Sequence, residues 1–424
     1  MAKQQLALLG GEPAVGPDIE FITWPAITQS DRDLVLASLD QDKHAYGPHV
    51  RMLEEEFAVW NGNKFCMATN SGTAALHLCI AACGIGAGDE VVTTALSWTS
   101  SASSIIHHSA IPVFVDVDWA SMHMDPAQIE AAISERTKAI LVVHYWGVAC
   151  DMDPILEIAQ RHGLMVIEDA CQAHGATYKG RKVGTLGNVA AFSLNQNKNL
   201  CGGEGGLFVS NDEQCFNLGR RVTAFSDMRP AHAGRDYDDY GLGWMYRTSD
   251  LPAAFALSQL RKLDETNAHA QENWQHLHDL LEGTPNLTPP FSTEERPTNG
   301  YAYVWRVDPA YAKKRGIPLR LMTKGVVTAL GAEGVPMSIA NWLLPAHAVF
   351  QAKNAFGSGA PWTYARPDIS YDVEQFPVAQ ACVDTCLWNI NTHRPPNGPQ
   401  QVEALAAAVR KVFENLGDVP IPEE

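Results

Sequence analysis

Three short segments carry residues whose types and spacing suit them to act together. The first is Asn70-Ser71-Gly72-Thr73-Ala74. A glycine among hydroxyl residues at a helix start leaves backbone N–H groups free at the positive end of the helix dipole. Such a turn can seat a phosphate; read alone, it is also an ordinary helix cap. It is not a P-loop, because the Lys-Ser/Thr pair and the spacing of that motif are missing. The second segment is Val166-Ile167-Glu168-Asp169-Ala170-Cys171-Gln172. An apolar strand there delivers a carboxylate at its end, and a buried carboxylate needs a positive partner. A protonated ring nitrogen is one such partner; a loop cap is the plainer role. The third is Phe192-Ser193-Leu194-Asn195-Gln196-Asn197-Lys198, followed by the glycine-dense Cys201-Gly202-Gly203-Glu204-Gly205-Gly206. A lysine held against such a loop and kept from water becomes a usable nucleophile and base. A lone lysine is ordinarily a surface residue. What singles out Lys198 is its company: an anion seat, a carboxylate and an amine, in that order, within one run of chain. Trp98, in Leu96-Ser97-Trp98-Thr99, adds a ring that either stacks on a bound aromatic group or fills the core.

The elements that must position these residues alternate along the chain. Runs rich in β-formers at 64–69, 90–94, 112–117, 139–144, 164–168 and 190–194 are separated by helix-like segments at 71–83, 127–133 and 153–162. That alternation predicts a largely parallel sheet covered by helices on both faces, an α/β fold. In such sheets ligands bind at the carboxyl ends of the strands, where the candidate residues fall. Ahead of this block, Ser30-Asp31-Arg32-Asp33-Leu34 reads as a capped helix start, and Pro48 opens an amphipathic run over 50–60 with Glu54 to Glu56 on its wet side. Beyond it, a single long helical pattern over 251–281 leads into a proline-rich passage at 285–297. A smaller unit follows, ending in a helix over 400–415. The expected division is a large domain over 1–260, including an N-terminal arm, and a small one over 261–424.

Composition excludes several functions. A formal net charge of −17 argues against a general nucleic-acid binder and against a polybasic membrane anchor. The apolar run within Met1 to Gly11 is too short for a secretion signal, and no stretch approaches the roughly 20 apolar residues of a membrane span. The expectation is a soluble, cytoplasmic protein. Nine cysteines are scattered; Cys79 with Cys83 and Cys382 with Cys386 lack further ligands nearby, so they read as reduced thiols and no metal is assigned. Gly84-Ile85-Gly86-Ala87-Gly88 follows a helix, not a strand, and reads as a terminator instead of a dinucleotide turn. His269, His276 and His278 lie on the long helix without a carboxylate pattern and read as solvated.

Taken together, "GPHVRMLEEEF", "ATNSGTAAL", "GAGDEVV", "DPAQIEAAISERTKAI", "IEDACQAHGA" and "FSLNQNKNLCGGEGG" resemble the DegT/DnrJ/StrS aminotransferases, from about Gly47 to the C-terminal helix. The resemblance implies a fold type I enzyme dependent on pyridoxal phosphate (PLP). It implies an amino group moved from glutamate or glutamine to a keto-sugar or keto-cyclitol, by a homodimer with shared active sites. It makes Lys198 the Schiff-base lysine, Asp169 the partner of the pyridine nitrogen and Gln172 the neighbour of the ring hydroxyl. Gly72, Thr73 and Ser193 become phosphate ligands, and Trp98 the stacking ring. Some relatives carry histidine at the lysine and are dehydratases; Lys198 points to transamination. A PLP lyase or aldolase on the same fold, or a PLP-binding sensor, shares these residues. One position departs. Gly243-Trp244-Met245-Tyr246-Arg247 aligns with a stretch usually written G-x-N-Y-R, whose asparagine commonly reaches the partner subunit's phosphate, and Met245 cannot donate a hydrogen bond.

Overall fold

The strand β4 (Thr137–Val143) is an unbroken apolar run from Ala139 onward, and it is buried throughout except at Lys138. Only a strand with packing on both faces can use such a sequence. In the computed structural model, which describes residues 4–223, 225 and 241–423, β4 lies inside a seven-stranded sheet. The first three residues of the N-terminal run lie outside the described residues. The other members are β1 (Phe65–Thr69), β2 (Glu90–Thr94), β3 (Ile111–Val115), β5 (Met165–Asp169), β8 (Val189–Ser193) and β9 (Gly206–Ser210). The intervening β6 (Thr177–Tyr178) and β7 (Arg181–Lys182) form a separate two-stranded ribbon.

The sheet order is β1-β9-β8-β5-β4-β2-β3, parallel except that β9 runs against both β1 and β8. Successive residues feed opposite cores, as the two-residue period of a strand requires. Val91, Leu141, Ile167 and Ala191 pack on one face; Val92, Ile140, Val166 and Ala190 pack on the other. The chemistry-bearing segments follow β1, β2, β5 and β8, all at one edge. A second, antiparallel sheet, β10-β11-β13-β12, joins Leu287–Thr288, Tyr303–Val307, Cys386–Asn389 and Ser338–Ile339 and covers a third core built on Trp274, Tyr303, Trp305 and Val409.

Several elements differ from expectation. The first helix, α1 (Gln29–Leu39), starts earlier, because Thr28 and Asp31 form its capping box. The long pattern over 251–281 is two helices, α8 (Asp250–Leu260) and α9 (Leu263–Leu281). The break frees Lys262 to pair with buried Asp31 at 2.7 Å and Arg261 to pair with Glu56 at 2.6 Å. β9 was hidden by its glycine-rich approach, and α4 (Ser100–His107) by four serines that are indifferent helix formers. His278 is only partly solvated: it stacks on Trp274, ring centroids 5.1 Å apart. All nine cysteines are free, and among the described residues no group of three or more His, Cys, Asp or Glu side chains could hold a metal. Among the same residues no helix is long and apolar enough to cross a membrane.

Glu54, placed on the wet side of α2 (Pro48–Asn61) by its sequence pattern, instead turns inward. Its carboxyl accepts from the Ala68 N–H at 2.8 Å and from the Tyr46 hydroxyl at 2.8 Å. Burial pushes it up to about 7. The fold thus holds this proton more tightly than the unfolded chain, where glutamates titrate near ~4.3. The stability gained is fully present below that value and is lost as the pH rises through about 7. Glu54→Gln keeps an acceptor for Ala68 and offers an N–H to the Tyr46 oxygen. It is expected to stabilise the protein by about 1–2 kcal/mol at alkaline pH and to flatten the decline toward alkali. Thermal melts from acid to mild alkali check this; parallel curves for the two proteins would refute it.

Candidate active site

Where β1 gives way to α3 (Gly72–Ala82), Ser71 caps the helix, its Oγ accepting from the Ala74 N–H at 3.1 Å. The N–H groups of Gly72 and Thr73 open the first turn, where no intrahelical acceptor exists. Thr73 Oγ1 lies 2.7 Å from Ser100 Oγ of α4. Glycine is needed at both sides of this seat. A Cβ on Gly72 would stand 2.8 Å from Ser193 Cβ, and one on Gly206 would stand 2.4 Å from the Ser71 carbonyl oxygen. The tip of α3 can therefore press against the end of β8. The result is a concave, hydroxyl-lined turn suited to an anion.

At the end of β5 two acidic residues part company, as neighbours on a strand must. Glu168 is buried and accepts from the N–H groups of Gly184, Leu186 and Gly187 and from His144 Nε2 at 2.9 Å. The Cys150 N–H donates to His144 Nδ1, which places the imidazole proton on Nε2. Glu168 is thus consumed in holding a loop. Asp169 turns the other way, into a cleft. Its Oδ2 accepts from Ser101 Oγ at 2.7 Å and its Oδ1 from the Cys171 N–H at 3.2 Å. Ser97 Oγ stands 2.7 Å behind Ser101 Oγ. Asp169 is only 5% exposed, yet both donors are neutral, and among the described residues no cation pairs with it. Such a carboxylate suits a cationic ligand atom.

Gln172 accepts the Trp146 N–H through Oε1 at 2.9 Å. A backbone N–H can only donate, so the amide's NH₂ is the end left for a ligand. Lys198 sits in the loop after β8, with Nζ 3.5 Å from the Tyr301 hydroxyl and 5.3 Å from that ring's centroid. Trp98 is 56% exposed, so it is not a core residue; it stands at the rim, edge-on to Trp342 at 6.3 Å.

Gly72, Thr73, Trp98, Asp169, Gln172, Ser193 and Lys198 all line one cleft of about 450 Å³. Sequence reasoning missed other members of that lining. Ser100, beside its unlining helix neighbour Ser101, comes from the unanticipated α4. Tyr301, Trp342 and Trp388 come from the C-terminal third of the chain, and no local pattern marks them. Trp146 has a left-handed backbone, φ 58°, which no sequence signal announces.

The departing segment does not join this lining. Met245 is exposed, and its carbonyl accepts from Asn70 Nδ2 at 3.2 Å, while Tyr246 O accepts from the Asn70 N–H at 2.8 Å. Arg247 Nε lies 3.2 Å from Met245 Sδ. The segment thus runs beside the anion-seat turn, with Met245 outside the lining of the cleft.

Comparison with known proteins fits this geometry. The sequence model of the DegT/DnrJ/EryC1/StrS aminotransferase family matches residues 25–339. The spore coat polysaccharide biosynthesis protein SpsC of Bacillus subtilis (strain 168) is 39% identical over 302 residues, 69% of this chain and 76% of its own length. An L-glutamine:2-deoxy-scyllo-inosose aminotransferase of Streptomyces fradiae is 34% identical over 384 residues, 88% of this chain and 87% of its own. Among solved structures, a 3-amino-5-hydroxybenzoic acid synthase superposes with a TM-score of 0.83 at 27% identity, covering 95% of this chain and 100% of its own.

Proposed function

The chain belongs to the DegT/DnrJ/EryC1/StrS aminotransferase family, and from that premise we propose that it moves an amino group from glutamine or glutamate to a ring ketone, using PLP. The observation that carries the cofactor assignment is Asp169. A buried carboxylate without a cationic partner among the described residues shares one cleft with an anion seat and an amine, which is the donor set a phosphorylated pyridine needs. When bound, PLP supplies an aldehyde that takes up the amino group and a ring that withdraws electrons from the neighbouring carbon. The N–H groups of Gly72 and Thr73, with the Ser193 hydroxyl, would hold the phosphate. Asp169 would keep a proton on the pyridine nitrogen, and Gln172 would donate to the ring oxygen. Trp98, at the rim, would cover the ring. Lys198 Nζ would be the attachment point and, when free, the base that moves the proton between the substrate carbon and the cofactor.

The acceptor's character is read from the opposite wall. Trp146 stands 5.6 Å from Trp342 and 5.8 Å from Trp388, and those two are 5.0 Å apart, ring centroid to centroid. Trp146 keeps its left-handed backbone at a cost of about 1 kcal/mol or more, a strain that tends to be retained where a site needs it. Indole faces suit the C–H face of a polyhydroxylated ring. Among the described lining residues, Lys198 is the only cation, set against Asp169 and Glu204. That balance supports a free, uncharged keto-cyclitol over a keto-sugar carried on a nucleoside diphosphate. The Streptomyces fradiae relative is named for such an acceptor. Comparing kcat/KM for the two acceptor classes tests this. The free ring is expected to win by about 100-fold, a margin that unpaired phosphate charge can impose. A reversed preference would overturn the acceptor assignment and leave the aminotransferase standing.

The proposal extends to a homodimer, to a large domain over 1–260 with a small one over 261–424, and to a cytoplasmic setting. Nine unbonded cysteines support the last. The exposed Trp244 and Met245, one against His77 of α3 and the other against Asn70, support the first.

A further inference from the structure

The backbone around Lys198 is held from far along the chain. Trp24, on the N-terminal arm and 5% exposed, donates its indole N–H to the Lys198 carbonyl at 3.0 Å. Arg394, 1% exposed, donates through Nη1 to the Asn197 carbonyl at 3.0 Å and to Asn199 Oδ1 at 3.2 Å, and through Nε to the Ile390 carbonyl at 2.6 Å. Its guanidinium carbon lies 4.8 Å from the Trp24 ring and 5.6 Å from the Tyr301 ring, the ring that Lys198 Nζ also approaches. All of Arg394's hydrogen-bond acceptors described are neutral oxygens. A buried guanidinium without a carboxylate is costly; while Nε and Nη2 are held by Ile390 and Asn391, Nη1 is spent on the two residues flanking Lys198. Asn199 is fixed again by donating to Asn267 Oδ1 at 2.8 Å and to the Asn299 carbonyl at 3.1 Å.

We infer that Trp24 and Arg394 are positioning residues for Lys198. By fixing the carbonyls of Asn197 and Lys198, they set where a half-exposed, four-carbon side chain can deliver its amine. The N-terminal arm thereby becomes part of the reaction apparatus instead of a tether. The inference rests on the reading of Lys198 as the reacting amine.

Trp24→Phe keeps a ring against Arg394 and deletes the single N–H that reaches Lys198. Adding PLP to the cofactor-free protein and fixing the product with borohydride reports, by mass, how fast the cofactor becomes joined to Lys198. The substitution is expected to slow that joining about tenfold and to lower kcat similarly, with the donor KM changed less than about twofold. In a Lys198→Ala background, where PLP binds without being joined, the same substitution is expected to leave the Kd for PLP within about twofold. A merely structural role would weaken PLP binding in both backgrounds, and that result overturns the inference, as does an unchanged joining rate. Arg394→Lys, which keeps the charge but not the fork, should behave as Trp24→Phe does and serves if that variant fails to fold. Failure of PLP to join Lys198 in the unchanged protein would refute the underlying reading of Lys198 instead.

Discussion

Lys198→Ala is expected to lower the transamination rate by at least about a thousandfold, the scale of losing a positioned nucleophile and base in one step. The fold should survive. The one contact described for Nζ is 3.5 Å, to the Tyr301 hydroxyl, and the side chain is half-exposed, so its removal opens no sealed cavity and strands no buried charge. A melting temperature close to that of the unchanged protein, with single-turnover rates collapsed for both donors, is the expected pair of results. Retained turnover would remove Lys198 from the mechanism and leave only carboxylates as candidate bases, Asp169 engaged by Ser101 and Cys171 and Glu204 by Asn195.

Asp169→Asn separates charge from shape. Asparagine fits the same space; its oxygen can accept the Cys171 N–H, while its NH₂ faces Ser101 Oγ, which can turn to accept. Packing at the end of β5 is therefore preserved and only the negative charge is lost. Without that charge, the carboxylate assigned to hold a proton on the cofactor's ring nitrogen is gone, and the electron-withdrawing power of the ring falls. The expected loss in kcat is about 100-fold to 1,000-fold, as for removal of a preorganised electrostatic group. The phosphate seat at Gly72 and Thr73 is untouched, so PLP should still bind. A loss smaller than about threefold would show that Asp169 only caps the loop at Cys171, its plainer role.

These two residues were readable in the sequence for a specific reason. Ser71 to Thr73, Asp169, Ser193 and Lys198 all end or follow strands of one continuous block, and a parallel sheet brings its strand ends to one edge. Order along the chain therefore implied proximity in space. The same logic fails for the rest of the cleft. Tyr301, Trp342 and Trp388 belong to the C-terminal third, and their approach to β5 and β8 is decided by the packing of two sheets. Trp24 and Arg394 reach Lys198 from 174 and 196 residues away. Glu54 was misplaced because a helical pattern shows which face is mostly wet but not that Ala68 presents an N–H to it. The single helix expected over 251–281 failed likewise. No local propensity forbids helix at Arg261 and Lys262; their ion pairs to Glu56 and Asp31 are tertiary. Trp98 shows the converse. Its position after a strand was legible, while its exposure had to be seen to rule out the core.

The account's central claim is that this cleft binds PLP and loads it with an amino group. The visible absorption spectrum of the purified protein, recorded before and after adding L-glutamine or L-glutamate, tests it most directly. The account predicts a yellow protein whose visible band fades with an amino donor and returns when a keto-cyclitol is added. A band unmoved by both donors would contradict the transferase and favour a lyase or a sensor. No band even after adding PLP would contradict the cofactor itself.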